Sequence, residues 1–131
     1  MSYGLIGMFC ALKSERRYME KSGFTYEADN HILVIHLPKE LDHHNCRFLR
    51  EEMDMIQDQI YIRKIVFDFC RTRFMDSSGI GVLMGKYKEM TASGGSVVLY
   101  GACPQVERVL QIAGLYRIIA SYATKEEAIA G

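Results

Sequence analysis

The sequence predicts an α/β fold, in which an N-terminal hairpin leads into a small, mostly parallel central sheet covered by about four helices. Two observations carry this prediction. Residues 24–37 read as an antiparallel hairpin, and from residue 43 onward amphipathic helical segments alternate with short apolar runs. Strands that alternate with helices imply parallel pairing, because each helix carries the chain back across the sheet. At 131 residues, the chain is long enough for one domain with a single core.

The predicted hairpin consists of two apolar segments joined by a polar turn. Residues 24–26 alternate between apolar and polar side chains, and residues 32–37 are apolar except for His36. Asp29 and Asn30 lie between the two segments, and both residue types favour turns. The pattern therefore predicts a turn at Asp29 and Asn30.

The first two helices are predicted from apolar residues spaced three and four apart. The first helix covers about residues 43–60, and the second ends at Gly94 and Gly95. Between them, residues 65–69 form an apolar run rich in β-branched and aromatic side chains, which is typical of a buried strand. The apolar positions are Cys46, Leu49, Met53, Ile56 and Ile60 in the first helix, and Ile80, Leu83, Met84, Tyr87 and Met90 in the second.

The rest of the chain continues the alternation. Residues 97–100 predict another buried strand, Pro104 suits the first turn of a third helix, and Gly114 suits its end. A short strand near residues 117–119 and a last helix over about residues 124–130 complete the prediction. The third helix has its apolar positions at Val106, Val109, Leu110 and Ala113.

Residues 1–22 are predicted to be an N-terminal extension, so that the domain covers residues 23–131. The extension ends in a charged patch and shows no clean period. Its apolar stretch, residues 3–12, has half the length of the roughly 20 residues that are needed to span a bilayer. A secretory signal begins with basic residues, and no basic residue precedes this stretch. Met19 offers an alternative translation start, just before the first predicted strand. We therefore expect the extension to be dispensable for folding.

The charge balance and the cysteines narrow the function classes. The chain has 16 Lys and Arg residues against 16 Asp and Glu residues. A zero net charge argues against nucleic-acid binding and against attraction to an anionic membrane. The four cysteines include no Cys-x-x-Cys pair, so neither a zinc site nor a disulfide framework is indicated. Free thiols of this kind are typical of a protein in the reducing cytoplasm.

The most informative segment is Phe-Met-Asp-Ser-Ser-Gly-Ile-Gly at residues 74–81, between a predicted strand and a predicted helix. Ser77 is expected to be the helix N-cap. A second interpretation is that Ser77 accepts a phosphoryl group of about −1.5 to −2 charges, which the helix N-terminus would stabilise. Arg71 and Arg73 precede it and could also stabilise that charge. Local chemistry leaves both interpretations open.

Three glycines predict a surface that another protein could approach closely. Gly79, Gly81 and Gly85 recur on the second helix, opposite Leu83 and Tyr87. Gly79 and Gly81 do not have the spacing of a dinucleotide-binding loop, and the chain has no Gly-x-Ser-x-Gly nucleophile motif. The helix is therefore expected to bind a protein and not to carry out catalysis.

The triplet Asp42-His43-His44 also has two interpretations. Its residue types match the motif of a family of metal-dependent phosphoesterases, which need further Asp and His clusters for two metals. In the predicted fold, the triplet opens the first amphipathic helix, where Asp42 suits the N-cap. The cap is the preferred interpretation, and a small hydrolase remains an alternative.

Three blocks of the sequence together resemble the bacterial anti-sigma factor antagonists, which are STAS-domain proteins. They are the Glu-Leu-Asp-His-His segment at residues 40–44, the Asp-Ser-Ser-Gly-x-Gly block within residues 74–88, and the third helix with its Gly114-Leu115 exit. The resemblance covers residues 24–131 and is strongest to the antagonists of the sporulation sigma factor F. One departure is Lys39, where the family usually has glycine before Glu-Leu-Asp.

The resemblance implies a STAS-like fold and a regulatory protein that is not an enzyme. Such a protein binds an anti-sigma factor that is also a serine kinase with bound nucleotide, and thereby releases the sigma factor. Phosphorylation of Ser77 switches it off, a serine phosphatase resets it, and the chain itself needs no cofactor or metal. A STAS scaffold in another signalling complex remains the alternative. The resemblance implies partner contacts at Asp42, Asp76, Ser78, Gly79, Gly81 and Val82.

Overall fold

The computed structural model describes residues 15–19 and 23–131, and these residues form eight strands and four α-helices. The strands are β1 (Glu15–Met19), β2 (Phe24–Asp29), β3 (Ile32–His36), β4 (Glu40–Leu41), β5 (Lys64–Asp68), β6 (Phe74–Met75), β7 (Ser96–Tyr100) and β8 (Ala120–Tyr122). The helices are α1 (His43–Gln59), α2 (Ser77–Ala92), α3 (Pro104–Ile112) and α4 (Lys125–Ala130). None of these helices is long and apolar enough to cross a membrane.

Six strands form the main sheet in the order β1-β2-β3-β5-β7-β8. Strands β1, β2 and β3 pair antiparallel, whereas β3, β5, β7 and β8 pair parallel. This arrangement confirms the predicted α/β class with a mostly parallel sheet and an N-terminal hairpin. A separate pair, β4 and β6, is also parallel.

The hairpin turn lies one residue later than predicted. Asp29 pairs with Ile32, so the loop between the strands consists of Asn30 and His31. Both have positive φ, 53° and 66°, which is the conformation of a two-residue turn between twisted antiparallel strands. Asparagine tolerates this conformation well, and its position after Asp29 was the signal in the sequence.

The sheet begins inside the segment predicted to be an extension. Strand β1 pairs with β2 from Glu15 opposite Ala28 to Met19 opposite Phe24. Residues 15–19 of the predicted extension thus join the sheet as an edge strand, which can pair through its backbone without an alternating apolar pattern. The apolar stretch at residues 3–12 lies outside the described residues.

The last strand also differs from the prediction. Helix α3 ends before Gly114, whose φ of 77° is left-handed, and Leu115–Arg117 then form a short 3₁₀ helix. Leu115 is buried, and its carbonyl accepts a hydrogen bond from the Ile119 N–H at 2.9 Å. This tight turn occupies the residues near 117–119, so β8 begins only at Ala120.

The core lies mainly between one face of the sheet and helices α1, α2 and α3, while α4 packs on the opposite face. Phe67 and Leu99 belong to the larger cluster, and Val66 and Val98 belong to the smaller one with Ala128. Neighbouring strand residues thus point to opposite faces. Because both faces are covered, β5 reads as a continuous buried run.

Helix α2 buries a different stripe from the one predicted. Ile80, Met84 and Tyr87 are only half-buried. Lys86 is 2% exposed, because its ammonium group contacts Asp54 at 2.6 Å, Gln57 at 2.8 Å and Glu89 at 3.2 Å. An apolar pattern cannot reveal a buried lysine or a buried glycine, so the predicted face was rotated about the helix axis. The buried residues are Gly79, Val82, Leu83, Lys86 and Met90.

Candidate functional site at two adjacent helix N-termini

The small sheet of β4 and β6 places the first turns of α1 and α2 side by side. Each strand has two residues, and in each case one aspartate separates the strand from the helix that follows. Glu40 pairs with Phe74 and Leu41 pairs with Met75. Two segments that are more than 30 residues apart in the chain therefore meet at one surface.

Both helices begin at an aspartate N-cap. The Asp42 Oδ1 atom accepts a hydrogen bond from the Asn45 N–H at 2.9 Å, which confirms the predicted cap. The Asp76 Oδ1 atom accepts from the Ser78 N–H at 2.8 Å. The N-cap of α2 is therefore Asp76, and the prediction of Ser77 as the cap is wrong. Asp76 follows the strand directly in an extended conformation, and its charge adds an attraction to the helix dipole.

The two serines after this cap have different surroundings. Ser77 is the first residue of α2 and is exposed. Ser78 is half-buried, and its Oγ atom lies 3.3 Å from Nδ1 of His43, the first residue of α1. The hydroxyl of Ser77 is thus presented to solvent, whereas the hydroxyl of Ser78 contacts the neighbouring helix.

The three side chains of the triplet at residues 42–44 contact different partners. Asp42 caps α1, His43 contacts Ser78, and the His44 ring packs edge-on against Phe48 with 5.1 Å between ring centroids. No group of three His, Cys, Asp or Glu side chains within the described residues is placed to hold a metal ion. The geometry accordingly agrees with the helix-start interpretation of this triplet.

The three glycines of α2 do not share one surface. A Cβ atom on Gly79 would lie 2.8 Å from Met75 Sδ, closer still to Met75 Cγ, and 3.1 Å from Leu41 Cδ2. Gly79 therefore allows α2 to start directly against β4 and β6. Gly81 and Gly85 are exposed, as predicted.

Two of the predicted contact residues lie beneath the surface. Gly79 is buried, and Val82 is 2% exposed and belongs to the larger core cluster. In this conformation a partner would reach little of Gly79 or of the Val82 side chain, so direct contacts at these two residues stay a prediction. They support the first turn of α2 from the core side.

Phe74 is a surface residue that the sequence analysis did not single out. Its side chain is 51% exposed, next to the buried Met75. The alternation along β6 was the available signal, since neighbouring strand residues point to opposite sides. An exposed aromatic ring three residues before Ser77 gives the surface an apolar anchor of the kind enriched in protein interfaces.

The loops around the site are held by backbone hydrogen bonds. The Lys39 carbonyl accepts from the Arg73 N–H at 2.8 Å, and the Pro38 carbonyl accepts from the buried Thr72 hydroxyl at 2.8 Å. Among described residues other than glycine, positive φ occurs only in the hairpin turn. Position 39 therefore does not need the glycine that is usual in the family. Arg71 and Arg73 are exposed in the same loop.

The two cap carboxylates place negative charge at the two helix starts. Burial, together with the carboxylates of Asp76 and Asp42, raises the pKa of the Cys46 thiol to about 11, although Arg50 acts in the opposite direction. Cys46 lies in the first turn of α1. Both cap carboxylates thus act on the same position between the helices, and a further negative group nearby would meet repulsion from them.

Comparison with known proteins agrees with this arrangement. A family profile described as the STAS domain matches residues 24–128. The chain therefore belongs to the STAS domain family. Its fold, with an antiparallel hairpin leading into a mostly parallel sheet, is the fold predicted for that family.

Within the family, the chain is similar to anti-sigma factor antagonists. It is 34% identical over 105 residues to the anti-sigma F factor antagonist of Paenibacillus polymyxa, covering 79% of this chain and 90% of that one. A solved structure of the anti-sigma factor antagonist SpoIIAA in its unphosphorylated form has 36% identity, a TM-score of 0.73, and coverage of 81% and 92%. The Bacillus cell fate determinant SpoIIAA in the phosphorylated form has 35% identity, a TM-score of 0.67, and coverage of 82% and 96%.

These relatives confirm the predicted resemblance and support an anti-sigma factor antagonist function. The family is regulatory and not enzymatic, and the function implies an anti-sigma factor as partner. The relatives named for sigma factor F also suggest a connection with sporulation.

Proposed function

We propose that the unphosphorylated protein binds an anti-sigma factor that is also a serine kinase, releases the sigma factor, and is switched off when Ser77 is phosphorylated. The observation that carries this proposal is the exposed Ser77 hydroxyl at the first position of α2, beside an aspartate that already caps the helix. Solved relatives exist in an unphosphorylated and a phosphorylated form, which supports a switch of this kind.

The proposed contact surface combines polar groups with an apolar anchor. Asp42, Asp76 and Ser78 are half-buried around the two helix starts, and Gly81 and Phe74 are exposed beside them. Gly81 has no side chain, so a partner backbone can approach α2 closely there. The surface thus has the mixed character of a reversible protein interface.

A phosphate on Ser77 would remain compatible with the fold but not with the complex. Backbone N–H groups and the dipole at the start of α2 favour an anion, whereas the adjacent Asp76 carboxylate repels it and directs it outward. In a close interface, about two added negative charges must lose water or repel acidic neighbours. A penalty of about 3 kcal/mol weakens binding by more than a hundredfold.

The remaining parts of the cycle belong to other proteins. ATP is held by the kinase, so this chain needs neither a nucleotide nor a metal of its own, and a serine phosphatase restores the active state. The cycle takes place in the cytoplasm, where sigma factors act. A STAS scaffold role would share the fold but would not require release on phosphorylation.

Incubation of the chain with the cognate kinase and ATP tests the proposal. We expect one phosphate by intact mass, located on Ser77 by peptide mapping, and loss of the kinase complex on size-exclusion chromatography. Ser77→Ala should bind the kinase without being modified, and Ser77→Asp should fold normally but bind weakly. Modification of Ser77→Ala, or equal binding by the phosphorylated and unphosphorylated chains, would contradict the proposal.

A further inference from the structure

His43 links the two helix starts and distinguishes the two adjacent serines. Its Nδ1 atom lies 3.3 Å from Ser78 Oγ, within hydrogen-bonding distance, although the residues are 35 positions apart. The Ser78 N–H is also engaged, by Asp76 at 2.8 Å. Ser77 is exposed, and it lies one position before Ser78, the residue that both contacts restrain.

We propose that His43 is a specificity-determining residue, which directs phosphorylation to Ser77 by holding the Ser78 hydroxyl. The inference rests on the proposed function, because it concerns the choice of serine in the same kinase reaction. It deepens that function by assigning a role to a side chain of α1 that is remote in sequence from the phosphorylated segment.

The chemistry of phosphoryl transfer explains why such a contact matters. The seryl oxygen forms a bond to the γ-phosphorus of ATP, the bond to the leaving ADP breaks, and the hydroxyl proton passes to a base of the kinase. The acceptor oxygen must therefore turn its lone pair toward ATP and its proton toward that base. A hydroxyl paired with His43 and fixed at its backbone by Asp76 must first lose a contact, whereas the Ser77 hydroxyl is already available.

The expected size of the effect follows from the worth of one hydrogen bond. A net contribution of about 1 kcal/mol corresponds to about a fivefold change in relative reactivity. His43 is exposed at the first position of α1, so its replacement removes no core contact. The neighbouring His44 is also exposed but packs against Phe48, which makes it a matched control.

The test measures how phosphate is divided between the two serines. The full chain and its His43→Ala, His43→Gln and His44→Ala variants are incubated with the cognate kinase and ATP, and peptide mapping gives the fraction at each serine. In His43→Ala, we expect the Ser78 fraction to rise about two- to tenfold. Because glutamine retains hydrogen-bonding groups, His43→Gln should return it toward the wild-type value. His44→Ala should match the wild type.

A second comparison makes the test independent of the amount of Ser77 product. The rate of Ser78 phosphorylation is compared between Ser77→Ala and the double variant Ser77→Ala/His43→Ala, and we expect the double variant to be faster. An unchanged Ser78 fraction and rate, with normal modification of Ser77, would overturn the role of His43 alone. No phosphate on either serine of the wild-type chain would overturn the proposed function together with this inference.

Discussion

Replacing Gly79 with alanine tests the close approach of α2 to the small sheet. The added Cβ would lie 2.8 Å from Met75 Sδ and 3.1 Å from Leu41 Cδ2, and closer still to Met75 Cγ. Met75 and Leu41 are 4% and 1% exposed, so both side chains are enclosed by other atoms. The Met75 side chain, the helix start or β6 must therefore shift.

Two opposing effects set the magnitude. Overpacking a closed site costs about 1–3 kcal/mol, whereas exchanging glycine for alanine within a helix gains up to about 1 kcal/mol. Because Gly79 is in the first turn, that gain is at the low end. We expect Gly79→Ala to lower the free energy of unfolding by about 1–2 kcal/mol. Since the shift occurs beside Ser77, phosphorylation of this serine should also slow.

Gly85→Ala provides the matched control on the same helix. Gly85 has open space in front of its Cα, with no atom of the described chain within 4 Å of an added Cβ. The same exchange should there raise the free energy of unfolding by about 0.5–1 kcal/mol. Urea unfolding followed by circular dichroism measures both variants. Equal stabilisation by Gly79→Ala and Gly85→Ala would refute the tight packing of Gly79.

Three further predictions concern the helix cap at Asp42, the buried Lys86 and the half-buried His36. Asp42→Ala should lower the free energy of unfolding by about 1 kcal/mol, because the helix cap is lost. Asp42→Asn should keep the stability but weaken kinase binding, which calorimetry would measure. Equal binding by Asp42→Asn and the wild type would show that the charge of Asp42 does not contribute to the interface. Lys86→Met should change the free energy of unfolding by less than about 1 kcal/mol, because a linear apolar chain replaces the stem and the Asp54 and Glu89 side chains, each 57% exposed, remain solvated; a loss of more than about 3 kcal/mol would show that the ion pairs dominate. The hydrogen bond to Asp68, opposed by burial, raises the pKa of His36 above 6.5, while the pKa of Asp68 is lowered to about 2. Stability should therefore be greatest between about pH 4 and 6.5, falling toward pH 2 as Asp68 protonates and also falling above pH 6.5 as His36 loses its proton. In urea unfolding across pH, His36→Gln should remove the alkaline fall, and its persistence in that variant would contradict the assignment.

Much of the fold was predictable because apolar periodicity reports burial directly. Helix α1 places Cys46, Leu49, Met53 and Ile56 on its buried face, four of the five positions that the spacing predicts. The strand at β5 was predictable because both of its faces are covered, which requires a continuous apolar run. Residue type also marked the end of α3, since Gly114 takes a conformation that glycine adopts at little cost.

The predictions from the sequence failed where tertiary contacts, and not residue type, decide the structure. Lys86 is polar in any pattern, and its contacts with Asp54 and Gln57 of α1 help to make its burial acceptable. Asp76 and Ser77 are both good caps, and the end of β6 decides between them. In the candidate site, Ser77 and the two aspartates were predicted from the sequence. The exposure of Phe74 and the contact of His43 with Ser78 could not be predicted, because they depend on the pairing of β4 with β6.

The cap of α2 is formed by Asp76 and not by Ser77, and this has an evolutionary consequence. Since Asp76 caps α2, the residue at position 77 is not needed as the helix cap, and under the proposed switch a change there would alter the signal without altering the protein's abundance. With such a switch, substitution of one exposed residue would retune or silence the response, while the neighbouring carboxylate keeps the helix capped. Selection on regulation and selection on folding would then act on adjacent positions and remain separable.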